Sequence, residues 1–425
     1  MSGLAPADVP AAGYGLALPH DPGSPVRHGS AYPASLHPHA AATSTTGQPN
    51  GAEQPAPRGI ADRLFALRNR LLASPRFQRW ASAFPLTKPI AQRRAKALFD
   101  LCAGFVYSQV LLACVRLRLF DALRDGPRSL DALATHLALP PDSVARLLEA
   151  AVALDLVDDR GDGRFGLGVL GAALIGNPGV AAMVEHHALL YADLRDPVAL
   201  LRGEQRDTAL GHLWPYAESA RSAGLGAEDV AAYSTLMSQS QPLVAADILA
   251  AYKLDRHRCL LDLGGGEGTF LIEAAAAAPG LKLMLFDLPA VADRARDRFA
   301  GAGLTNRAAA FGGDFRCDPL PPGADIISLV RVVHDHDDDA AMAILSAAWR
   351  ALPPNGTLLL AEPMAGTPNA EGVGAYFAFY LLAMGSGRPR RTEELTAMLH
   401  KAGFSAVRAV ATRRPMQVRI LVASK

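Results

Sequence analysis

Apolar positions fall into distinct regimes along the chain. Residues 1–58 are rich in Ala, Pro, Gly, Ser and His and have almost no aliphatic periodicity. Such a segment cannot bury enough apolar surface to offset its ordering entropy, and it reads as a disordered tail. Its histidines, His20, His28, His37 and His39, are irregularly spaced, which favours composition bias over metal binding. In residues 59–96 Leu64, Phe65, Leu67, Leu71, Leu72, Phe77, Trp80 and Phe84 recur at helical spacing, so this is a basic amphipathic helical segment. Residues 97–250 predict a mostly helical domain. From 251 to the C-terminus strands and helices alternate, with strands expected at 259–263, 282–286, 308–311, 324–333 and 356–361. That pattern predicts an α/β fold, a Rossmann-like parallel sheet covered by helices on both faces. Two β-rich runs in 404–425, parted by Arg413-Arg414-Pro415, predict a terminal antiparallel hairpin added to that sheet.

Within the helical domain, residues 129–168 have the layout of a winged helix. Ser129 caps one helix, Pro140-Pro141 with Asp142-Ser143 starts the next, and 158–163 turns a small hairpin ending in Phe165 and Leu167. A winged helix that read DNA would need Arg and Lys on its recognition helix. Here that helix offers Arg146 against Glu149 and Asp155 and is otherwise apolar, which suits packing or dimerisation. A winged-helix regulator that binds its ligand as a signal is the rival from a different functional class.

The net charge of +1 gives no global case for nucleic acid. The four cysteines, Cys102, Cys114, Cys259 and Cys317, form no CxxC pair, so a reducing cytoplasm fits better than a disulfide framework or zinc site. No apolar run reaches the roughly 18 residues that would suggest a membrane span. In 58–96, however, ten basic residues face the single acid Asp62. A helix lying on an anionic bilayer explains this, and so does a helix packed on its own domain or a dimer mate.

The candidate chemistry begins at "LLDLGGGEGTF" (260–270), a strand ending in a glycine loop that opens an Ala-rich helix, 271–278. In a doubly wound fold this is where a nucleotide sits. Thr269 stands where the dinucleotide fingerprint needs its third glycine. Asp262 and Glu267 are poor neighbours for a pyrophosphate and good ones for a ribose and an ammonium. Asp287 ends the next strand about twenty residues on, where an acid binds ribose hydroxyls. Asp314, in "FGGDF", stands where a carboxylate accepts from an adenine amine. Three acids after three successive strands match an adenosine without phosphates.

These residues resemble the S-adenosylmethionine-dependent O-methyltransferases that join a winged-helix dimerisation domain to the methyltransferase sheet. The resemblance covers about 97–425 and rests on "LDLGGGEGTF", "FDLPAV", "GGDF", the "HD" at 334–335 and "AEPM". It implies S-adenosylmethionine as cofactor and a homodimer. It also implies that Gly264, Gly266, Asp287, Asp314 and Phe315 hold the cofactor, with Asp262, Leu288 and Arg331 completing the set. By the same resemblance His334 is the general base and Glu362 the acid that orients it. A narrower resemblance, through 97–117, 186–204 and the long N-terminal extension, is to bacterial enzymes that cap the tertiary hydroxyl of acyclic carotenoids such as demethylspheroidene and hydroxyneurosporene. A phenolic or polyketide acceptor is the alternative. The narrower reading adds peripheral contact with the inner face of a photosynthetic membrane. Many relatives carry a second glutamate just before an "RT" pair, where this chain has Arg390, so Glu362 is left as sole support of the base.

"HDHDDD" (334–339) admits a metal cage, a proton-transfer site or a charged helix start. Consecutive residues leaving a strand diverge, and no downstream pair supplies further ligands, so no metal is expected. Asp337, Asp338 and Asp339 read as capping residues of helix 338–351. His334, expected directly after its strand, is left for proton removal. Tyr376, Phe377, Phe379, Tyr380 and Met384 of helix 371–385, with Tyr233 and Met237, form an apolar stripe that either lines the acceptor pocket or is ordinary core. Of these Met237, Tyr233, Phe377 and Tyr380 are the substrate candidates. His186, His187, Tyr191 and Asp193 are placed at the entrance or in a dimer contact.

Overall fold

The computed structural model describes residues 59–213 and 227–425, without the side chains of 227–236, 238 and 239. The tail 1–58 and the side chain of Tyr233 lie outside the described residues. The chain divides into two compact units, residues 1–91 and 92–425.

In the first unit the expected amphipathic segment is two helices, α1 (Ile60–Ala73) and α2 (Pro75–Ala83), followed by the start of α3 (Lys88–Arg116). The break falls at Ser74, whose hydroxyl accepts Phe77 N–H at 3.5 Å, with Pro75 at the first helical position. Trp80 stacks on Phe84 at 5.2 Å and meets Phe77 at a tilt at 5.6 Å. No residue of α1 is buried, and Leu64, Phe65, Leu67 and Leu71 are exposed beside Arg63, Arg68 and Arg70.

In the second unit the rest of α3 keeps Leu98, Phe99, Leu101 and Phe105 at 64–81 % exposure within one chain. Among the described residues α3 is the one helix long and apolar enough to cross a membrane by length and composition. Counting apolar runs misses it, because Asp100 and Ser108-Gln109 break the run without ending the helix. After α4 (Leu119–Ala122) come β1 (Arg128–Ser129), α5 (Leu130–Leu137), α6 (Pro141–Ala153), β2 (Val157–Asp159) and β3 (Arg164–Leu167). The strands pair antiparallel in the order β1-β3-β2, the expected winged helix. Ser129 Oγ accepts Ala132 N–H at 3.3 Å, capping α5 as predicted. The would-be recognition helix, α6, buries Val144, Leu148 and Ala151 in the same core as Leu119 and Leu133. Four helices follow, α7 (Val169–Ile175), α8 (Pro178–Asp193), α9 (Pro197–Leu201) and α10 (Ala209–Leu213), and then the long α11 (Ala227–Ala251).

The sheet contains β4 (Cys259–Leu263), β5 (Lys282–Asp287), β6 (Ala308–Gly312), β7 (Ile326–Val330), β8 (Thr357–Glu362), β9 (Ala406–Val410) and β10 (Arg419–Ser424), ordered β6-β5-β4-β7-β8-β10-β9. All neighbours are parallel except β10, which runs antiparallel to β8 and β9, so the terminal hairpin is as expected. Every residue of β7 is buried, as a strand covered on both faces requires. The helices are α12 (Thr269–Ala277), α13 (Pro289–Gly301), α14 (Asp338–Ala351), α15 (Glu371–Met384) and α16 (Thr392–Ala402). Strand order reverses about β4, which opens a crevice beyond the carboxyl ends of β4 and β7.

Two expectations at the end of β7 need correction. The strand stops at Val330, not at residue 333, because Arg331 adopts φ +59°, which no strand can continue. His334 therefore sits in a 3₁₀ turn, Val333–Asp335, and not directly after the strand. Asp337 occupies the N-cap position of α14 but makes no side-chain cap bond. Its Oδ1 accepts Gly387 N–H, and Asp338 pairs with Arg388 and Arg390. At least two of the three carboxylates thus bind the segment after α15 and do not cap their own helix.

Gly268, at φ +78°, starts α12 and lies against α13: a Cβ there would stand 2.4 Å from Phe299 Cε1. Gly268→Ala combines overpacking with a left-handed backbone, so we expect a loss of about 2–4 kcal/mol in chemical denaturation. An unchanged midpoint would show that α13 yields at no cost.

Candidate active site

The crevice is an open cleft of about 920 Å³ including its solvent-filled mouth, within the usual range of small-molecule sites. Its floor is the loop after β4. Gly264 and Gly266 have φ of +71° and +58°, and nothing lies within 4 Å of where a Cβ of Gly266 would stand, so the loop presents bare backbone to the cleft. The wall is Asp287, whose Oδ2 accepts Gly266 N–H and whose Oδ1 accepts Leu288 N–H, both at 2.8 Å. Leu288, Asp314, Phe315, Arg331 and Met237 also line it, so the expected cofactor set comes together with one exception.

The exception is Asp262. It lies beneath the loop, 1 % exposed and outside the cleft lining, and a Cβ on Gly265 would come within 2.6 Å of its Oδ2. Ser328 Oγ donates to Oδ1 at 2.6 Å, while Oδ2 has no partner. Burial pushes this carboxyl up to about 7 and that of Asp287 up to about 6, against the loop N–H groups that favour the ionised Asp287. Glu267 lines the cleft, but Arg294 and Arg298 of α13 bind both its oxygens, Arg298 Nη1 at 3.0 Å from Oε2. Its charge is compensated, so the expectation that Glu267 and Asp262 repel a pyrophosphate by charge does not hold. Asp314 is likewise paired: Arg316 Nε and Nη2 donate to it at 2.9 and 2.6 Å.

His334 is not itself in the cleft lining, though its neighbours Val332, Asp335 and His336 are; it is 6 % exposed and stands between two carboxylates. Its Nδ1 is 2.5 Å from Glu362 Oε2, and its Nε2 is 3.1 Å from Asp335 Oδ1. Glu362, the last residue of β8, also accepts Val332 and Val333 N–H through Oε1, at 3.0 and 2.7 Å. Burial pulls the imidazole pKa down, but Asp335 and Glu362 outweigh it and hold the group above its ordinary value. Asp335 was missed as a second carboxylate partner of His334. The "HD" pair was its signal, but adjacency in sequence gave no reason to expect the carboxylate to turn back onto the ring. His336 lines the cleft, its pKa lowered to about 4 by burial and then by Arg316, so it is neutral. Among the described residues no cluster could hold a metal ion.

Of the α15 stripe, Phe377 meets His334 edge-on at 5.5 Å. Tyr380 and Tyr376 bond His186 and His187 through their hydroxyls, each at 2.8 Å, and thereby tie α15 to α8. Met384 is core, and Phe379 faces outward. Asp193 is not at an entrance: it accepts Ala209 and Leu210 N–H at the start of α10. Met237 Sδ lies 3.4 Å from Arg331 Nη2.

Known proteins share this architecture. A family model described as an O-methyltransferase domain matches residues 191–405, and one described as an O-methyltransferase dimerisation domain matches 99–176. The chain is 45 % identical over 363 residues to a demethylspheroidene O-methyltransferase of Cereibacter sphaeroides, covering 85 % of this chain and 94 % of the relative. To the enzyme of that name from Rhodobacter capsulatus it is 40 % identical, covering 90 % and 95 %. A solved mitomycin 7-O-methyltransferase superposes with a TM-score of 0.65 at 24 % identity, over 80 % of this chain and 99 % of that one.

The two raised carboxyls provide a test that needs no ligand. Both pKa values lie above the unfolded value of about 3.9. Their contribution to stability is therefore full below that value and lost as pH rises through about 6 for Asp287 and about 7 for Asp262. Carboxyl ¹³C titration of the ligand-free protein should give those two midpoints. A midpoint for Asp287 below about 4.5 would mean that the loop N–H groups outweigh burial.

Proposed function

Because the chain belongs to the S-adenosylmethionine-dependent O-methyltransferases that carry a dimerisation domain, we propose that it methylates the tertiary hydroxyl of an acyclic hydroxycarotenoid, with His334 as general base. The observation that carries the acceptor is the match to two demethylspheroidene enzymes over more than nine-tenths of their length.

The open face of Gly266 and the Asp287 carboxylate beside it suit an adenosine ribose. In this reading Gly264, Gly266, Asp287, Leu288, Asp314 and Phe315 hold the nucleoside, Arg331 meets the carboxylate of the amino-acid end, and Asp262 braces the loop from below. When bound, S-adenosylmethionine supplies a methyl group on a sulfonium that leaves as a neutral thioether. The chain's own work is alignment, exclusion of water and removal of one proton. Glu362 holds Nδ1, which leaves Nε2 as the basic nitrogen. The acceptor hydroxyl approaches Nε2 beside Asp335, which stays on the ring, and its proton passes to Nε2 as the C–O bond forms. Glu362 and Asp335 then stabilise the imidazolium. Phe377, over the ring, belongs to the water-excluding wall.

The exposed apolar residues of α3 are assigned to a second copy of the chain, since the dimerisation-domain match begins at residue 99 within that helix. The exposed cations and aromatics of α1 and α2 are assigned to an anionic membrane surface, where a water-insoluble acceptor resides.

The deciding experiment is incubation with labelled cofactor and a panel of hydroxycarotenoids and phenols. Methylation of phenols alone would overturn the acceptor. His334→Ala is expected to lower turnover by about 10²-fold or more with S-adenosylhomocysteine affinity nearly unchanged. The base must be neutral to act, and its pKa is raised, so activity should rise with pH through a limb above about 6.5. A limb below that value would assign proton removal to another group. Deleting residues 1–87, which leaves α3 whole, should reduce salt-sensitive binding to anionic vesicles. Equal binding by both forms would make the basic face a solvated surface only.

A further inference from the structure

We propose that Ser386–Arg390 is a clamp that positions the turn bearing His334, with the Arg390 guanidinium as its main contact. The inference rests on the reading of His334 as base.

Four successive carbonyls of the turn are bonded by this one segment. Val333 O accepts Arg390 Nη1 at 2.7 Å, and His334 O accepts Arg388 N–H at 3.0 Å. Asp335 O accepts Ser386 Oγ at 2.5 Å, and His336 O accepts Arg390 Nη2 at 2.7 Å. Gly387, at φ +81°, lets the backbones touch, since a Cβ there would stand 2.2 Å from His334 O. The Arg390 side chain is 1 % exposed, whereas its carboxylate partner, Asp338, is 58 % exposed. A buried guanidinium is costly unless its fork is filled. Here the fork spans the turn from Val333 to His336, a reach that the point charge of a lysine does not reproduce. This also gives a role to the arginine that stands where the resemblance implies a second glutamate in many relatives. The second carboxylate on the imidazole is Asp335, inside the turn, and the clamp orients it together with His334. Arg390 touches neither ring nitrogen, so it is a positioning residue.

The test uses the full chain with Arg390→Met, Arg390→Lys, Gly387→Ala and Ser386→Ala. The first readout is the ring NMR titration of His334, which needs no acceptor. Its midpoint reports Asp335 on the same turn, Glu362 from β8, Arg331 at the end of β7 and the neighbouring His336. Phe377 and Tyr380 of α15 face the same turn. In Arg390→Met and Gly387→Ala the midpoint should fall toward the ordinary histidine value. Turnover should drop by about 10²-fold, with S-adenosylhomocysteine affinity unchanged. Arg390→Lys should restore thermal stability more than turnover, since it keeps the charge and loses the fork. Ser386→Ala removes one contact, is the mildest of the four, and should show the same midpoint shift in smaller measure if the others do not fold. An unchanged midpoint in the folded variants would overturn the clamp. A shifted midpoint in a protein that methylates no hydroxycarotenoid would leave the clamp standing and remove the acceptor.

Discussion

The site depends on one buried carboxylate. Glu362 closes β8, is 2 % exposed, and meets Val332 N–H, Val333 N–H and His334 Nδ1. Two of these are backbone donors left open when the chain leaves β7 with Arg331 at positive φ. A buried anion is tolerated only when its lone pairs are filled, and filling them here fixes where the 3₁₀ turn lies. β8 is gripped by β7 on one side and β10 on the other, with Glu362 opposite Arg419. The position of the imidazole is thus set by sheet register, the stiffest part of the fold.

Charge around the cofactor loop follows a different rule. Glu267 is neutralised by two arginines of α13, and Asp314 by Arg316. Asp262 and Asp287 are the buried acids whose pKa burial raises, one beneath the loop and one beside it. An acid at about 6 whose oxygens already hold two backbone N–H groups still presents lone pairs to hydroxyl donors, whereas a phosphate would bring a second anion to the same wall. In the proposed reading, selection for an uncharged ribose therefore rests on Asp287, and the paired Glu267 adds no repulsion of a pyrophosphate.

Much of this was legible in the sequence where pattern and backbone agree. The strand 259–263, the helix 338–351, the Ser129 cap and the terminal hairpin are where periodicity and turn chemistry put them. The glycine loop was readable because glycine adopts its left-handed dihedral angles without steric cost. Departures came where tertiary contact overrides local preference. A strand reading of "SLVRVV" cannot foresee that Arg331 turns the chain, since the turn is held by Ala361 O and Glu362. The carboxylates of 337–338 resemble helix caps, yet they bind residues some fifty positions later. Arg390 was conspicuous as a missing acid, but apart from Asp338 its contacts are to backbone carbonyls, which carry no sequence signal.

In the proposed role of His334 as base, its raised basicity has a cost that fits an alcohol acceptor better than a phenol. A phenol, with a pKa near 10, can give its proton to a weak base early in the reaction. A tertiary alcohol is a much weaker acid, and its proton leaves only as the C–O bond forms, so the transition state favours a stronger base. Two carboxylates against one imidazole provide that strength and leave a larger fraction of the histidine protonated, and therefore idle, near neutrality. Such a bargain makes sense only if the ring is held so that the neutral fraction is always aligned. Glu362 from the sheet, Phe377 from α15 and the segment after α15 constrain it from three directions. For the proposed alcohol acceptor, rigidity in the turn and basicity in the ring are thus two requirements of one chemistry.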